Sequence, residues 1–231
     1  MVSVAGGGAG VARSCGTVHA VASRQAVERA KQSELEALQA RIHPHFLFNT
    51  LNSAAALVHA RPDDAERVLL DLSDLFRAAL SEPGWVPLSH ELALCRRYLA
   101  IEQLRFGERL QVAWDVSAEP DHLQVPLLAV QPLVENAVAH GLDDRAHGRH
   151  VRIAVSATAT SLEVAVANPL PQAPTARTGG HGIGLAAVRA RIEVVTAGQG
   201  RLEAGPEGTD FVARVVVPRT AMPQSPQATI S

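Results

Sequence analysis

Apolar positions along the chain change period partway. Leu35, Leu38, Ile42 and Phe46 recur at helical spacing, and the pattern predicts one long helix over residues 23–59. Pro44 falls inside it. A proline removes a backbone donor and crowds the carbonyl one turn back, near Ala40, so a kink is expected there. Arg61-Pro62-Asp63 ends this helix, and Asp63 with Glu66 reads as a capping box for the next one. That helix carries Val68, Leu69, Leu72, Leu75, Phe76 and Ala79 on its apolar side. After a Pro83-Gly84 turn a third helix opens at Leu88-Ser89, with Leu92, Cys95, Leu99 and Glu102 along one line, and Gly107 stops it. Such a helical hairpin is too small to bury its apolar face alone. Pairing two copies into a four-helix bundle would bury it, so a homodimer is expected.

From Leu110 the period becomes two. Leu110, Val112, Trp114 and Val116 alternate as a half-buried strand does. Pro126 is expected to start a helix with Leu127, Val130, Leu133, Val134, Ala137 and Val138 inward. Val151, Ile153 and Val155 alternate again, as do Leu162, Val164 and Val166, and Asn168-Pro169 ends that strand. A loop rich in Pro, Thr and Gly reaches His181. A helix over residues 183–196 and strands near 201–204 and 211–217 complete the pattern. The expected fold is α+β: a helical hairpin followed by an α/β sandwich with a mixed sheet.

Composition narrows the function classes. The chain has 231 residues, 47% hydrophobic and 19% charged, which describes a globular protein with a real core. A net charge of −2 gives no nucleic-acid footprint. Cys15 and Cys95 make no disulfide framework and suit a reducing, cytoplasmic compartment. Lys31 is the only lysine, which excludes a Walker A loop. Residues 1–12 are apolar but too short to span a membrane and lack a signal-peptide layout; they read as a tail, or as the stub of a longer protein whose sensor part is missing.

Four patches carry chemistry. The first is QARIHPHFLFNTLNS, residues 39–53, where His45 follows Pro44 directly. An imidazole is a nucleophile near neutral pH, and a distorted, accessible turn would let a second domain reach it. The bland reading, a boundary histidine on a bundle helix, stands beside it. The second is VQPLVENAVAHG, where Glu135, Asn136 and His140 share a helical side; an Asn carbonyl suits Mg2+ bridged to phosphates. Glu135 as a solvated charge and His140 as a helix cap are the alternatives. The third is Asn168 at a strand end. The fourth is HGIGL, where Gly182 and Gly184 open a helix and would let backbone approach a phosphate, although a G-x-G before a helix also occurs in mere turns.

PHFLFNTLN preceded by LEALQARI, the stretch PLSHELALCRRYLAIEQLRFGERL, and LVENAVAHG followed by GIGLAAVRARI together resemble the LytS-like (AlgZ-like) sensor histidine kinases with their GHKL-type (Bergerat) ATPase domain. The resemblance spans about residues 35–218. Residues 1–22 and 219–231 read from composition as disordered tails, and the resemblance implies a helical dimerisation and histidine phosphotransfer domain over 23–107 and an ATP-binding catalytic domain over 108–218. It further implies His45 as phosphoacceptor, Asn136 as the Mg2+ ligand and Glu135 as a neighbouring polarising carboxylate and candidate general base. His140 would lie near the phosphates, Asn168 at the adenine, and Gly182, Gly184 and Leu185 at the nucleotide, with residues 169–181 as a lid. ATP and Mg2+ would be the cofactors. The partners would be a response regulator, with the LytTR type as one option, a second copy of the chain, and a membrane sensor unless a missing N-terminal part supplies it, with the chain itself in the cytoplasm or at the cytoplasmic face of the membrane.

Several residues depart from the family pattern. His43 stands where the family has Asn and is a second candidate nucleophile. Asn168 replaces the Asp that receives the adenine amino group, with Leu170 at the Gly of the same motif, and Ala187 replaces an Asn. An amide carbonyl still accepts a hydrogen bond but without charge, so weaker ATP binding is expected. These departures keep open a weakly active or inactive kinase that serves as a dimeric signalling scaffold. A GHKL ATPase or serine kinase of the anti-sigma type is a third reading, which the histidine-bearing helix disfavours.

Overall fold

The structure is a computed structural model and describes residues 44–117, 122–140, 149–170 and 181–219. The chain divides into two compact units, residues 1–47 and 48–231. Of the first unit only residues 44–47 are described, the opening turn of helix α1 (Pro44–Leu57). The helix predicted upstream, the kink near Ala40, His43 and both tails up to residue 43 and after residue 219 lie outside the described residues. Among the described residues no helix is long and apolar enough to cross a membrane.

In the second unit, α2 (Pro62–Leu80) opens with proline at its first turn and Asp63 and Asp64 beside it, but no side chain caps it. The predicted capping box is therefore absent. Proline there gives up a donor that lacks a helical partner anyway, and the carboxylates complement the helix dipole. The buried stripe is Ala65, Val68, Leu72, Leu75 and Ala78, while Leu69 is exposed and Phe76 and Ala79 are half-buried. The stripe is thus turned from the predicted one. Helix α3 (Leu88–Phe106) matches its prediction, and Gly107 ends it at φ +58, a conformation that favours glycine. Arg97 on α3 reaches Asp71 and Asp74 on α2, both at 3.3 Å.

A feature absent from the sequence reading lies between these helices and the sheet. β1 (Trp85–Pro87) pairs antiparallel with β3 (Gln124–Pro126) as a separate two-stranded ribbon. Leu127 to Val130 then form a buried turn, and α4 begins only at Gln131 and ends at His140. The helix predicted from Pro126 is therefore five residues shorter at its start. Its apolar residues are buried as expected, but the first ones pack from a turn.

The main sheet has five strands in the order β2-β4-β5-β7-β6. These are β2 (Leu110–Val116), β4 (Arg149–Ala157), β5 (Ser161–Pro169), β6 (Arg201–Glu207) and β7 (Asp210–Pro218). The β2–β4 pair is parallel and the other three pairs are antiparallel, so the sheet is mixed as predicted. One face buries Val151, Ile153, Val155, Leu162, Val164, Val166 and Val215 against α4 and α5 (His181–Val195). Each such side chain contributes about 1.5–3 kcal/mol when removed from water. The other face carries charge: Arg214 pairs with Glu163 and Glu207, and Arg152 with Asp210 at 3.2 Å. Period-two alternation with one wet face is what this arrangement requires. The molecule is α+β, helices with a mixed sheet.

Candidate active site

α4 packs against β5 and against α5, which brings three of the four chemistry-bearing patches onto one side of the sheet. Leu133, Val134, Ala137 and Val138 are the inward face of α4 and leave Glu135, Asn136 and His140 half-buried at its border. Glu135 accepts a hydrogen bond from Nε2 of Gln131, one turn back on the same helix, and Gln131 is itself buried. That bond anchors the carboxylate at the side of Asn136.

Asn168 sits at the end of β5, 3% exposed. Its Nδ2 donates to the carbonyl of Pro169 at 3.0 Å, which orients the amide oxygen as its acceptor end. An aspartate there could not make that donation. The substitution is thus accommodated by a local bond that also presents a carbonyl oxygen.

α5 opens at His181, so Gly182 and Gly184 both lie in its first turn, and Leu185 is buried beneath them. Gly184 has no positive φ, and a Cβ built on it would meet nothing within 4 Å. Neither backbone nor packing among the described residues calls for glycine at this position. The lid predicted over residues 169–181 lies, for residues 171–180, outside the described residues.

His45 belongs to the other compact unit. It is exposed on the first turn of α1, immediately after Pro44.

Three residues at the root of α4 escaped the sequence reading. Glu91 on α3 is fully buried, and its carboxylate accepts the N–H groups of Leu128 at 2.6 Å, Val130 at 2.9 Å and Gln131 at 3.4 Å. It therefore caps α4 from another helix. Burial pushes the Glu91 carboxyl above its usual value, and the three backbone donors pull less strongly the other way. Leu128 holds a φ of +57, and its carbonyl accepts from Nη1 of Arg191 on α5 at 3.0 Å. The signal for Glu91 was its place one turn before Cys95 on the apolar line of α3. Cys95 lies close enough that Glu91 and Glu135 add to the effect of burial in raising its thiol well above the usual value, which leaves it a protonated, inert core group.

The family model described as histidine kinase matches residues 33–110. The sensor histidine kinase YpdA of Escherichia coli is 34% identical over 230 residues, covering 90% of this chain and 38% of that protein. The sensor histidine kinase/phosphatase LytS of Staphylococcus aureus is 37% identical over 139 residues, covering 59% of this chain and 24% of that one. The chain thus spans well under half the length of these curated relatives. Among solved structures, the catalytic domain of histidine kinase ThkA overlays with a TM-score of 0.47 at 16% identity, covering 60% of this chain and 97% of that one. Through the histidine kinase match over residues 33–110 and a relative aligned along 90% of this chain, the chain is similar to the LytS-like sensor histidine kinases.

Proposed function

We propose that this chain is the kinase core of a two-component sensor, which phosphorylates itself on His45 and passes the phosphoryl group to an aspartate of a response regulator. A nitrogen of the His45 imidazole would attack the γ-phosphorus of ATP, the bond to the bridging oxygen would break, and ADP would leave. In-line transfer of this kind needs positioning and charge neutralisation more than covalent chemistry from the protein. The observation that carries the reading is Gly184, a helical glycine that neither backbone conformation nor packing among the described residues requires, on a helix packed against the one bearing Asn136. A phosphate approaching that helix N-terminus would require it.

The residues fit the groups this chemistry uses. Asn136 offers a hard neutral oxygen to a Mg2+ that takes its remaining ligands from phosphates and water, and the metal would neutralise charge on the leaving phosphates. The acceptor end of Asn168 would receive the adenine amino group, Leu185 would lie under the ring, and Gly182 and Gly184 would admit the phosphates. Glu135, fixed by Gln131, stands as general base or polarising group, and His140 as a phosphate neighbour. A regulator of the LytTR type, a homodimer, and work at the cytoplasmic face of a membrane beside a sensor complete the reading.

Incubation with labelled ATP and Mg2+, followed by acid and alkali, tests it. Label that acid removes and alkali spares, kept in His43→Gln and lost in His45→Gln, is the expected result. Equal labelling of His45→Gln would remove His45 as the acceptor. No label on a folded wild type would favour the scaffold, a reading that Asn168 and Ala187 support. Label that survives acid but not alkali would point to a serine kinase.

A further inference from the structure

α4 is launched from a turn that two charged side chains hold from opposite sides. Leu128 is at positive φ, where a side chain other than glycine is unusual. Both of its backbone polar groups are taken by ions: the N–H by the Glu91 carboxylate of α3 at 2.6 Å, and the carbonyl by the Arg191 guanidinium of α5 at 3.0 Å. Glu91 goes on to accept the N–H groups of Val130 and Gln131, the last of the turn and the first of α4. A fully buried carboxylate is a costly way to cap a helix that a serine at its own N-cap could serve. This device does what a local cap cannot, because it joins three helices at one residue.

We propose that Glu91 and Arg191 are positioning residues of the nucleotide site, and that Arg191 sets the placement of the Asn136 helix against the glycine turn of α5. Arg191 lies two turns beyond Gly184 on the same helix, about 10 Å along its axis at 1.5 Å per residue. Asn136 lies one and a half turns into the helix whose root Arg191 holds. A displacement of α5 at its glycine turn is therefore passed to Leu128, and from there to the oxygen expected to hold the metal. The inference rests on the nucleotide reading above.

Arg191 is the residue to change, because it is only part-buried and its loss leaves the core intact. The full chain carrying Arg191→Met, Arg191→Lys or Arg189→Met would be titrated by calorimetry with a Mg2+–ATP analogue and with metal-free ADP, alongside thermal melts. Removing a group that orients a metal ligand typically costs about 10–100-fold in metal-dependent affinity, so Arg191→Met should weaken the Mg2+ complex by at least about tenfold. Metal-free ADP should bind all of them within about threefold of wild type, because that ligand does not use the Asn136 oxygen. Lysine can still donate to the Leu128 carbonyl and should restore most of the loss, and Arg189→Met should change nothing. Unchanged Mg2+–ATP binding in Arg191→Met overturns the inference alone. So does an equal loss for metal-free ADP, which would mark a contact to the nucleotide or a general loosening. A wild type that binds no Mg2+–ATP overturns the nucleotide reading and the inference with it.

Discussion

Glu91 shows how one residue decides the site's frame. Its two oxygens satisfy three buried N–H groups, and each such donor left without a partner costs about 1–3 kcal/mol. Glutamine keeps the shape but turns an amide donor toward Leu128 or Val130, so Glu91→Gln should destabilise the fold by about 1–3 kcal/mol. The pH dependence has a definite sign. Burial raises the folded carboxyl above 4.5, so the folded state binds a proton more readily than the unfolded one. The Glu91 contribution is therefore full below 4.5 and is lost as pH rises through the raised folded value. The gap between wild type and Glu91→Gln should be wider at about pH 5 than at about pH 7.5, read from urea midpoints. A gap that widens toward alkali instead would mean that the three donors outweigh burial.

At the scale of elements, two glycines at opposite ends of α5 separate ligand demand from packing demand. A Cβ at Gly200, beyond the helix end, would meet Ile192 Cγ2 and Thr196 Cγ2, both at 2.9 Å. Thr196 is buried and bonds both the Ile192 carbonyl at 2.7 Å and the Gly200 N–H at 2.8 Å, so nothing there can yield. Gly200→Ala should therefore lower stability by about 1–3 kcal/mol, the usual cost of overpacking. Gly184 is open on every side among the described residues, and alanine is the better helix former by about 1 kcal/mol. Gly184→Ala should melt at or above the wild-type temperature yet bind ATP several-fold more weakly. If both properties stay unchanged, the glycine is not a phosphate contact. The same contrast explains what could be read from the chain alone. Strands β4, β5 and β7 and helix α3 were legible because burial on one face imposes a period. β1 and β3 were not, because three residues ending in proline are too short to show alternation. The turn at Leu128 was not legible either, since a leucine carries no mark of positive φ and its partners, Glu91 and Arg191, lie far along the chain. The site patches were legible as motifs; the clamp that orients them was a matter of tertiary contact.

For the whole molecule, the exposed apolar residues raise the question of a second copy. Single exposed leucines are ordinary, but Phe48 (65% exposed), Leu51 (42%), Leu69 (45%), Leu70 (61%) and Leu80 (56%) fall on two successive helices. On α2, Leu69 and Leu80 are eleven residues apart, three helical turns, so they lie on one line away from the buried Val68–Leu72–Leu75 stripe. A helix that is apolar on two sides has one of them for its own core and the other for a neighbour. The bundle expected from the helical hairpin would supply that neighbour as a second chain. Leu69→Glu with Leu80→Glu should therefore halve the mass seen by light scattering. Helix content should be unchanged, since exposed positions rarely shift stability by more than about 0.5 kcal/mol. A mass that stays at two chains would move the interface off α2. If the chain does become monomeric, its labelling separates the two routes of transfer. Retained labelling of His45, independent of protein concentration, means that each chain serves its own histidine. Loss of labelling in the folded monomer means that the site of one chain serves the histidine of the other.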